Sequence, residues 1–464
     1  MQPIFEQFSG KKAHFIGIGG SSMSGLAKLF VQLGVTVSGS DAAASHKTEE
    51  LEAMGIKVFI GQKRDQVLGA DLVVYSAAIS PENPERAQAA ELGIASLERS
   101  ELLGLIASAF QTPICISGTH GKTTTTAMVS QVLMESGADP SVHIGGNLPM
   151  LGGSTRLGQS GYFVVEACEY ARSFLKLNPR IALILNIDED HLDCYGDIDH
   201  IEQAFAQFVS QTLPGGWVIG CGDDPRVRRV MEHCGKQTRS YGLEPHNEIT
   251  AEQISYDDTG CASFTATLFG HPLCDVELRI PGEHSLLNAL AAIAVADLCQ
   301  LPMSRVAETL GHFENPKRRF ELTGVTDDVR LYTDYSHNPA EMRNAIHNAR
   351  SQHPETLWAV WQPHTFSRTK ALYDEFLGCF GEADRVVITD IMAAREEPDP
   401  TLDSGMLVRD LRARGIRADW TPSFDDAEAF LRANWKSGDV VITMGCGNID
   451  LLNEQIEEHG DTVR

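Results

Sequence analysis

One pattern limits the fold of this chain more than any other. Short apolar runs recur along it, each closed by a glycine or polar turn and followed by a stretch with apolar residues at helical spacing. KAHFIGIGG opens the series as a strand and its turn. SSMSGLAKLFVQLG follows as a helix, with apolar side chains at 23, 26, 27, 30, 31 and 33. VTVSGSD, KVFIG and DLVVYSAAI read as further strands. Strands that alternate with helices predict a parallel sheet covered on both faces.

The alternation restarts twice. A second unit begins near residue 112, with strands at PICIS, YFVVEA, IALILNI and VIGCGDDP. Residues 245–281 break the pattern with short alternating runs and turn residues, which predict antiparallel hairpins, and HSLLNALAAIAVADLC then reads as a helix. A third unit begins near NPKRRFELTG, with strands at LYTDYS, LWAVWQP, RVVITDI and DVVITMG. The expected organisation is three α/β domains, at 1–111, 112–316 and 317–464. A chain of 464 residues has room for them.

Charge and cysteine usage narrow the partners and the compartment. A net charge of −25 excludes nucleic acid as a main partner, which requires a basic face. The ten cysteines are scattered, with no CxxC pair, as in a protein of a reducing compartment. MQPIFEQFSGKK has no apolar core of an export signal, and the longest apolar stretch, Leu286 to Leu298, is too short to span a bilayer. The expectation is a cytoplasmic protein with no membrane insertion.

The most specific local feature is PICISGTHGKTTTTAMVSQVL, residues 113–133. The loop runs through Gly118, Thr119, His120 and Gly121 to Lys122, Thr123 and Thr124. Between a strand and a helix, such a loop turns backbone N–H groups toward an anion, and the helix dipole adds favourable potential. Lys122 is placed to reach terminal phosphates and Thr123 to set its hydroxyl on Mg²⁺. Only two residues separate the glycines, against four in the common phosphate loop. Two polar clusters end neighbouring apolar strands: Glu166 in VVEACEY, and Asp188, Asp190 and His191 in LNIDEDHLD. Strand C-terminal ends converge on the ligand crevice of an open parallel sheet, and Mg²⁺ prefers oxygen donors, so Glu166 is a candidate ligand beside Thr123.

A second phosphate-binding turn is GIGGSSMSG, residues 17–25. It departs from the dinucleotide motif, because Ser22 stands at the third glycine position. The turn suits a diphosphate at a helix N-terminus, and Asp41, ending the second strand, suits a ribose hydroxyl. Both NAD and a sugar nucleotide fit. Two such turns on separate sheets favour an enzyme that uses ATP on a nucleotide-linked substrate.

GTHGKTTTT, VVEACEYARSFL, NIDEDHLDCYG, PGEHSLLNALAA, KRRFE, TDYSHNP and QPHTFSRTK together resemble the Mur ligases, ATP-dependent amide-forming enzymes of peptidoglycan synthesis. The block GIGGSSMSGLA…VSGSD…SAAISPENPE resembles the members that add the first amino acid. The resemblance implies a Rossmann-like UDP-binding domain, a central P-loop ATPase domain and a C-terminal Rossmann-like domain. It implies ATP and Mg²⁺ as cofactors, UDP-N-acetylmuramate and L-alanine as substrates, and a monomer or homodimer. The implied reaction phosphorylates the lactyl carboxylate, and the alanine amine then displaces phosphate.

By resemblance, Lys122 binds the γ-phosphate, Thr123 and Glu166 hold a metal, and His191 a second metal. Asn147 lies near the phosphates and Asn288 contacts adenine, while Arg319 and Asp334 serve the nucleotide from the third domain. Gly17, Gly19, Gly20, Ser21, Met23, Ser24, Asp41, Ser76 and Ala77 bind the UDP-sugar. Tyr335, His337, His364 and Arg368 line the amino-acid pocket. Ser285, Asn338 and Thr365 depart from the family pattern. The alternatives are a recycling ligase that attaches a tripeptide to the same UDP-sugar, an NAD-dependent dehydrogenase, and a P-loop ATPase switch.

Overall fold

The computed structural model describes residues 8–394 and 396–460, and the side chains of Asn147, Pro149, Leu192 and Asp193 stand outside that description. The first sheet contains β1 (Lys12–Ile16), β2 (Thr36–Asp41), β3 (Lys57–Ile60), β4 (Leu72–Tyr75) and β5 (Ala95–Glu98). Its order is β3-β2-β1-β4-β5, with every pair parallel. The order reverses between β1 and β4, so a crevice opens where their C-terminal ends part.

The second sheet contains β6 (Thr112–Ser117), β7 (Ser141–Leu148), β8 (Gly153–Arg156), β9 (Tyr162–Glu166), β10 (Ile181–Ile184), β11 (Trp217–Cys221), β12 (Gln237–Tyr241), β13 (Ile249–Tyr256), β14 (Cys261–Leu268) and β15 (His271–Pro281). Its order is β15-β14-β13-β12-β11-β10-β6-β9-β7-β8. The central strands β9, β6 and β10 are parallel neighbours, so their C-terminal loops lie side by side. At the far edge the expected hairpins are present: Thr250 faces Thr267, and Asp257 faces Cys261.

The third sheet contains β16 (Glu321–Thr326), β17 (Val329–Asp334), β18 (Leu357–Trp361), β19 (Arg385–Ile388), β20 (Ala418–Trp420) and β21 (Val440–Met444), in the order β16-β17-β21-β18-β19-β20. Only β16 runs antiparallel. Leu357, Ala359 and Trp361 pack into one core cluster, and Trp358 and Val360 into another on the opposite face. The strand period of two therefore delivers apolar residues to both faces, as a doubly covered sheet requires.

The described residues divide into two compact units. One contains residues 8–254, Phe264–Glu277 and His284–Phe313, and the other Ser255–Ser263, Leu278–Glu283 and the described residues of 314–460. The first two sheets share the first unit because they share a core. Phe15, Leu26 and Phe30 belong to the same buried cluster as Cys115, Phe163 and Val165, and Phe110 stacks on Phe163 at 4.8 Å. Two glycines permit the close approach. A Cβ on Gly25, in the helix Ser21–Gln32, would lie 2.3 Å from Thr155 Oγ1, and one on Gly104, in the helix Arg99–Ala107, 2.1 Å from the Lys176 carbonyl. A buried histidine ties the same seam: His143 Nε2 meets Ser22 Oγ at 2.8 Å and its Nδ1 meets Thr155 Oγ1 at 3.1 Å.

Candidate active site

The phosphate loop is shaped by the segment after β10. Asn186 accepts from His120 N through its side-chain oxygen at 2.7 Å, and from Thr119 N through its carbonyl at 3.2 Å. Thr119 Oγ1 accepts from Asp188 N at 2.9 Å. These bonds occupy the N–H groups of Thr119 and His120, so an anion bound here would meet the N-terminal turn of the helix Lys122–Glu135. Gly118 and Gly121 take φ of 143° and 80°, conformations that suit glycine. The Asn288 amide oxygen lies 3.0 Å from where a Gly121 Cβ would stand, so Asn288 overhangs this loop.

Glu166, at the end of β9, meets Thr123 and Gly145 of β7. Thr123 Oγ1 donates to Glu166 Oε1 at 3.0 Å, and Gly145 N to Oε2 at 2.7 Å. A hydroxyl and a carboxylate held together beside a phosphate loop match the donors Mg²⁺ takes when phosphates and waters complete its shell. His191 stands at φ 53°, between Glu169 (3.6 Å) and Asp190 (3.7 Å). Among the described residues, no three His, Cys, Asp or Glu side chains form a metal-binding group. Asn147 lies on β7, and its side chain is outside the described residues.

Lys122 points back onto its own loop. Its Nζ donates to the carbonyls of Gly118 (2.6 Å) and Thr119 (2.9 Å), and lies 2.9 Å from the Glu169 carboxylate. Burial pulls the ammonium pKa down, but the Glu169 charge, with help from Cys168 and Glu166, more than reverses this and leaves it raised. The sequence reading missed Glu169. It stands three residues after Glu166, and nothing in the string VVEACEY separates their roles.

The first-sheet crevice contains the second turn. Gly17 N and Ile18 N donate to the Ser40 carbonyl, and Asp41 accepts from Gly19 N and Ala42 N, both at 2.8 Å. Asp41 thus secures the turn as well as bordering it. Gly20 precedes the helix Ser21–Gln32, and Lys47 Nζ donates to Ser21 Oγ at 2.5 Å. Ser76 and Ala77 follow β4, and Ser76 Oγ lies 3.7 Å from where a Gly17 Cβ would stand. Met23 and Ser24 turn inward and are buried.

In the second unit, Asp334 ends β17 and accepts from Phe320 N (2.7 Å) and Ser336 N (2.8 Å). Burial raises its pKa against the opposing pull of Arg319. Arg318 and Arg319 both stack over Tyr335, at 5.0 and 5.2 Å. His337 Nδ1 is 3.0 Å from the Tyr335 carbonyl, and the two rings meet edge to face at 5.5 Å. Burial, then the charges of Arg368 and His337, lowers the His364 pKa. Arg368 Nη1 donates to Cys446 Sγ at 3.7 Å. The structure therefore groups Tyr335, His337, His364 and Arg368, and adds Arg318 and Cys446, which sequence reasoning passed over. Two of the departures from the family pattern have defined local settings. Asn338 caps the helix Pro339–Arg350 by accepting from Glu341 N, and Thr365 takes φ 65° before the helix Phe366–Ala371.

Three family models match in order: "Mur ligase family, catalytic domain" over residues 12–111, "Mur ligase middle domain" over 116–296, and "Mur ligase, glutamate ligase domain" over 318–447. The chain belongs to the Mur ligase family. Among Mur ligases it is 43% identical to a UDP-N-acetylmuramate–L-alanine ligase of Acetivibrio thermocellus, over 96% of this chain and 95% of that one. It is also 43% identical to one from Caldanaerobacter subterraneus, over 99% of both chains. The solved UDP-N-acetylmuramate–alanine ligase of Thermotoga maritima superposes with a TM-score of 0.83 at 26% identity, covering 97% and 98% of the two chains. The murein peptide ligase of Psychrobacter arcticus superposes with a TM-score of 0.74 at 25% identity, covering 98% and 100%. The three-domain α/β Mur ligase fold expected from the sequence is thus the fold of this chain.

Proposed function

We propose that this Mur ligase joins L-alanine to the lactyl carboxylate of UDP-N-acetylmuramate at the expense of ATP. The observation that carries the reading is full-length identity of 43% to two ligases of that name. A carboxylate resists amines because its oxygen leaves badly. Transfer of the γ-phosphoryl group to it forms a C–O–P link and releases ADP. The alanine amine attacks the activated carbonyl carbon and loses a proton, and the tetrahedral adduct expels phosphate to leave the amide.

Each step concentrates negative charge, and Lys122 with the N–H groups of the first helical turn stabilises it. Gly118, Thr119, His120, Gly121, Thr124, Asn147, Asn288, Arg319 and Asp334 serve the nucleotide. Thr123 and Glu166 would hold Mg²⁺, and His191 a second ion, supplying charge neutralisation on the phosphates. The crevice of Gly17, Gly19, Gly20, Ser21, Asp41, Ser76 and Ala77 takes the UDP moiety, with Met23 and Ser24 supporting it from within. Tyr335, His337, His364 and Arg368 bind alanine, the guanidinium pairing with its carboxylate. The compartment in this reading is the cytoplasm, and ten cysteines with no disulfide among them suit reducing surroundings.

The test is phosphate release from ATP and Mg²⁺ with UDP-N-acetylmuramate, in the presence and absence of L-alanine, glycine, L-serine and the stem tripeptide. Dependence on both the sugar nucleotide and L-alanine, with a product heavier by one alanyl residue, is the expected result. Stimulation by the tripeptide alone would assign the chain to peptide recycling. Release indifferent to every substrate would overturn ligation.

A further inference from the structure

We infer that Glu169 is an internal competitor of the nucleotide: a positioning residue that holds Lys122 away from the terminal phosphate until ATP displaces it. The inference rests on the reading of residues 118–123 as the ATP phosphate loop.

An ammonium has three N–H donors and no acceptor. In Lys122 all three directions are taken, by the carbonyls of Gly118 and Thr119 and by Glu169, whose two carboxylate oxygens both lie 2.9 Å from Nζ. The pair is secluded, with the lysine side chain 13% exposed and the glutamate 3%. A phosphate oxygen can accept from Lys122 only if one of these contacts breaks. The two carbonyls belong to the loop itself and remain within reach of Nζ. Glu169 is the contact that carries full charge, so it is the one that opposes a phosphate most strongly.

The main chain of Glu169 is held where it stands. Its carbonyl accepts from Tyr195 Oη at 2.5 Å and from Arg172 N at 2.8 Å. The turn after it is fixed by Ala171 and Arg172 at φ of 52° and 56°. When Lys122 moves to the phosphate, the carboxylate is left beside His191 Nε2, 3.6 Å away. One buried carboxylate thus serves two partners in succession. It keeps the lysine paired in the empty site, then supports the imidazole once the lysine has left.

The experiment is calorimetric titration of the full-length protein with ATP, ADP and adenosine, each with Mg²⁺. Glu169→Gln retains shape and removes the charge. It should tighten ATP about tenfold, the scale of one charge-assisted hydrogen bond, and leave adenosine unchanged. Glu169→Asp, which draws the carboxylate back from Nζ, should give a smaller gain and serves if the glutamine variant does not fold. In a Lys122→Met background, Glu169→Gln should have no effect on ATP.

Unchanged or weaker ATP binding by folded Glu169 variants would overturn the inference. So would a gain that persists without the lysine, which would mean direct repulsion between Glu169 and phosphate. A wild-type protein that binds no ATP would instead overturn the phosphate-loop reading.

Discussion

Thr123 donates its hydroxyl hydrogen bond to Glu166 across 3.0 Å, joining the first turn of one helix to the end of a neighbouring strand. The pairing sets a hydroxyl and a carboxylate at one point beside the phosphate loop. Glu166→Gln preserves the hydrogen bond to Thr123 and removes a charge from the proposed Mg²⁺ site. Ligase turnover should fall by roughly 100-fold or more. The Mg²⁺ concentration for half-maximal phosphate release should rise, and a chelator should abolish release in the wild type. An unchanged Mg²⁺ requirement would remove Glu166 from the metal site.

Lys122→Ala should abolish phosphate release while leaving UDP-N-acetylmuramate binding near the wild-type value, because the crevice of the first sheet is separate from the phosphate loop. The substitution also leaves Glu169 buried without its cation, so it should lower the unfolding midpoint. Parallel measurement of sugar-nucleotide binding and phosphate release decides the point.

Arg368→Ala should raise the KM for L-alanine by about tenfold or more and change kcat less, since a guanidinium–carboxylate pair acts mainly in binding. Steady-state kinetics with alanine varied is the check. An unchanged KM would place the amino-acid carboxylate elsewhere.

His143 makes stability depend on pH. Burial, with the Arg99 charge nearby, lowers its pKa from 6.5 to about 3. Between those values the unfolded chain binds a proton at this imidazole and the folded chain does not, so this contribution is intact above the upper value and is lost as pH falls toward the lower. Urea unfolding at about pH 7.5 and about pH 5 should show the loss, and His143→Gln should shrink the difference.

Gly104→Ala should destabilise the protein by about 1–3 kcal/mol, because the new methyl group meets a backbone carbonyl that cannot rotate away. Denaturant unfolding measures it directly.

Sequence reading recovered the strands that are apolar on both faces. β6, β10, β18 and β21 stand out because central parallel strands bury nearly every side chain, Thr112 at the start of β6 excepted. It missed β5, β8, β16 and β20, whose residues ASLE, GSTR, ELTGVT and ADW are partly exposed at sheet edges and carry no apolar run, and it missed the internal strands β7 and β12, whose SVHIGGNL and QTRSY are interrupted by polar residues and glycines. The phosphate loop was legible because its glycines, lysine and threonines are contiguous. Glu169 and Asn186 were not. Their importance comes from strand order, which brings the ends of β9 and β10 against the loop after β6. Asp41 was legible as a candidate for a ribose hydroxyl at the end of β2, but its bonds to Gly19 N and Ala42 N depend on a loop geometry that spacing does not encode.

The glycines at 25 and 104 bear on how this chain can be recombined. Each lets a helix of the first sheet's layer rest against main chain or side chains that follow the phosphate-loop strand. A chimera that kept residues 112–313 and took its first hundred residues from a donor with larger side chains at these two places would lose the fit, even if the donor's own nucleotide crevice were intact. The interchangeable cassette in this protein is therefore not the single sheet but the pair of sheets with its seam.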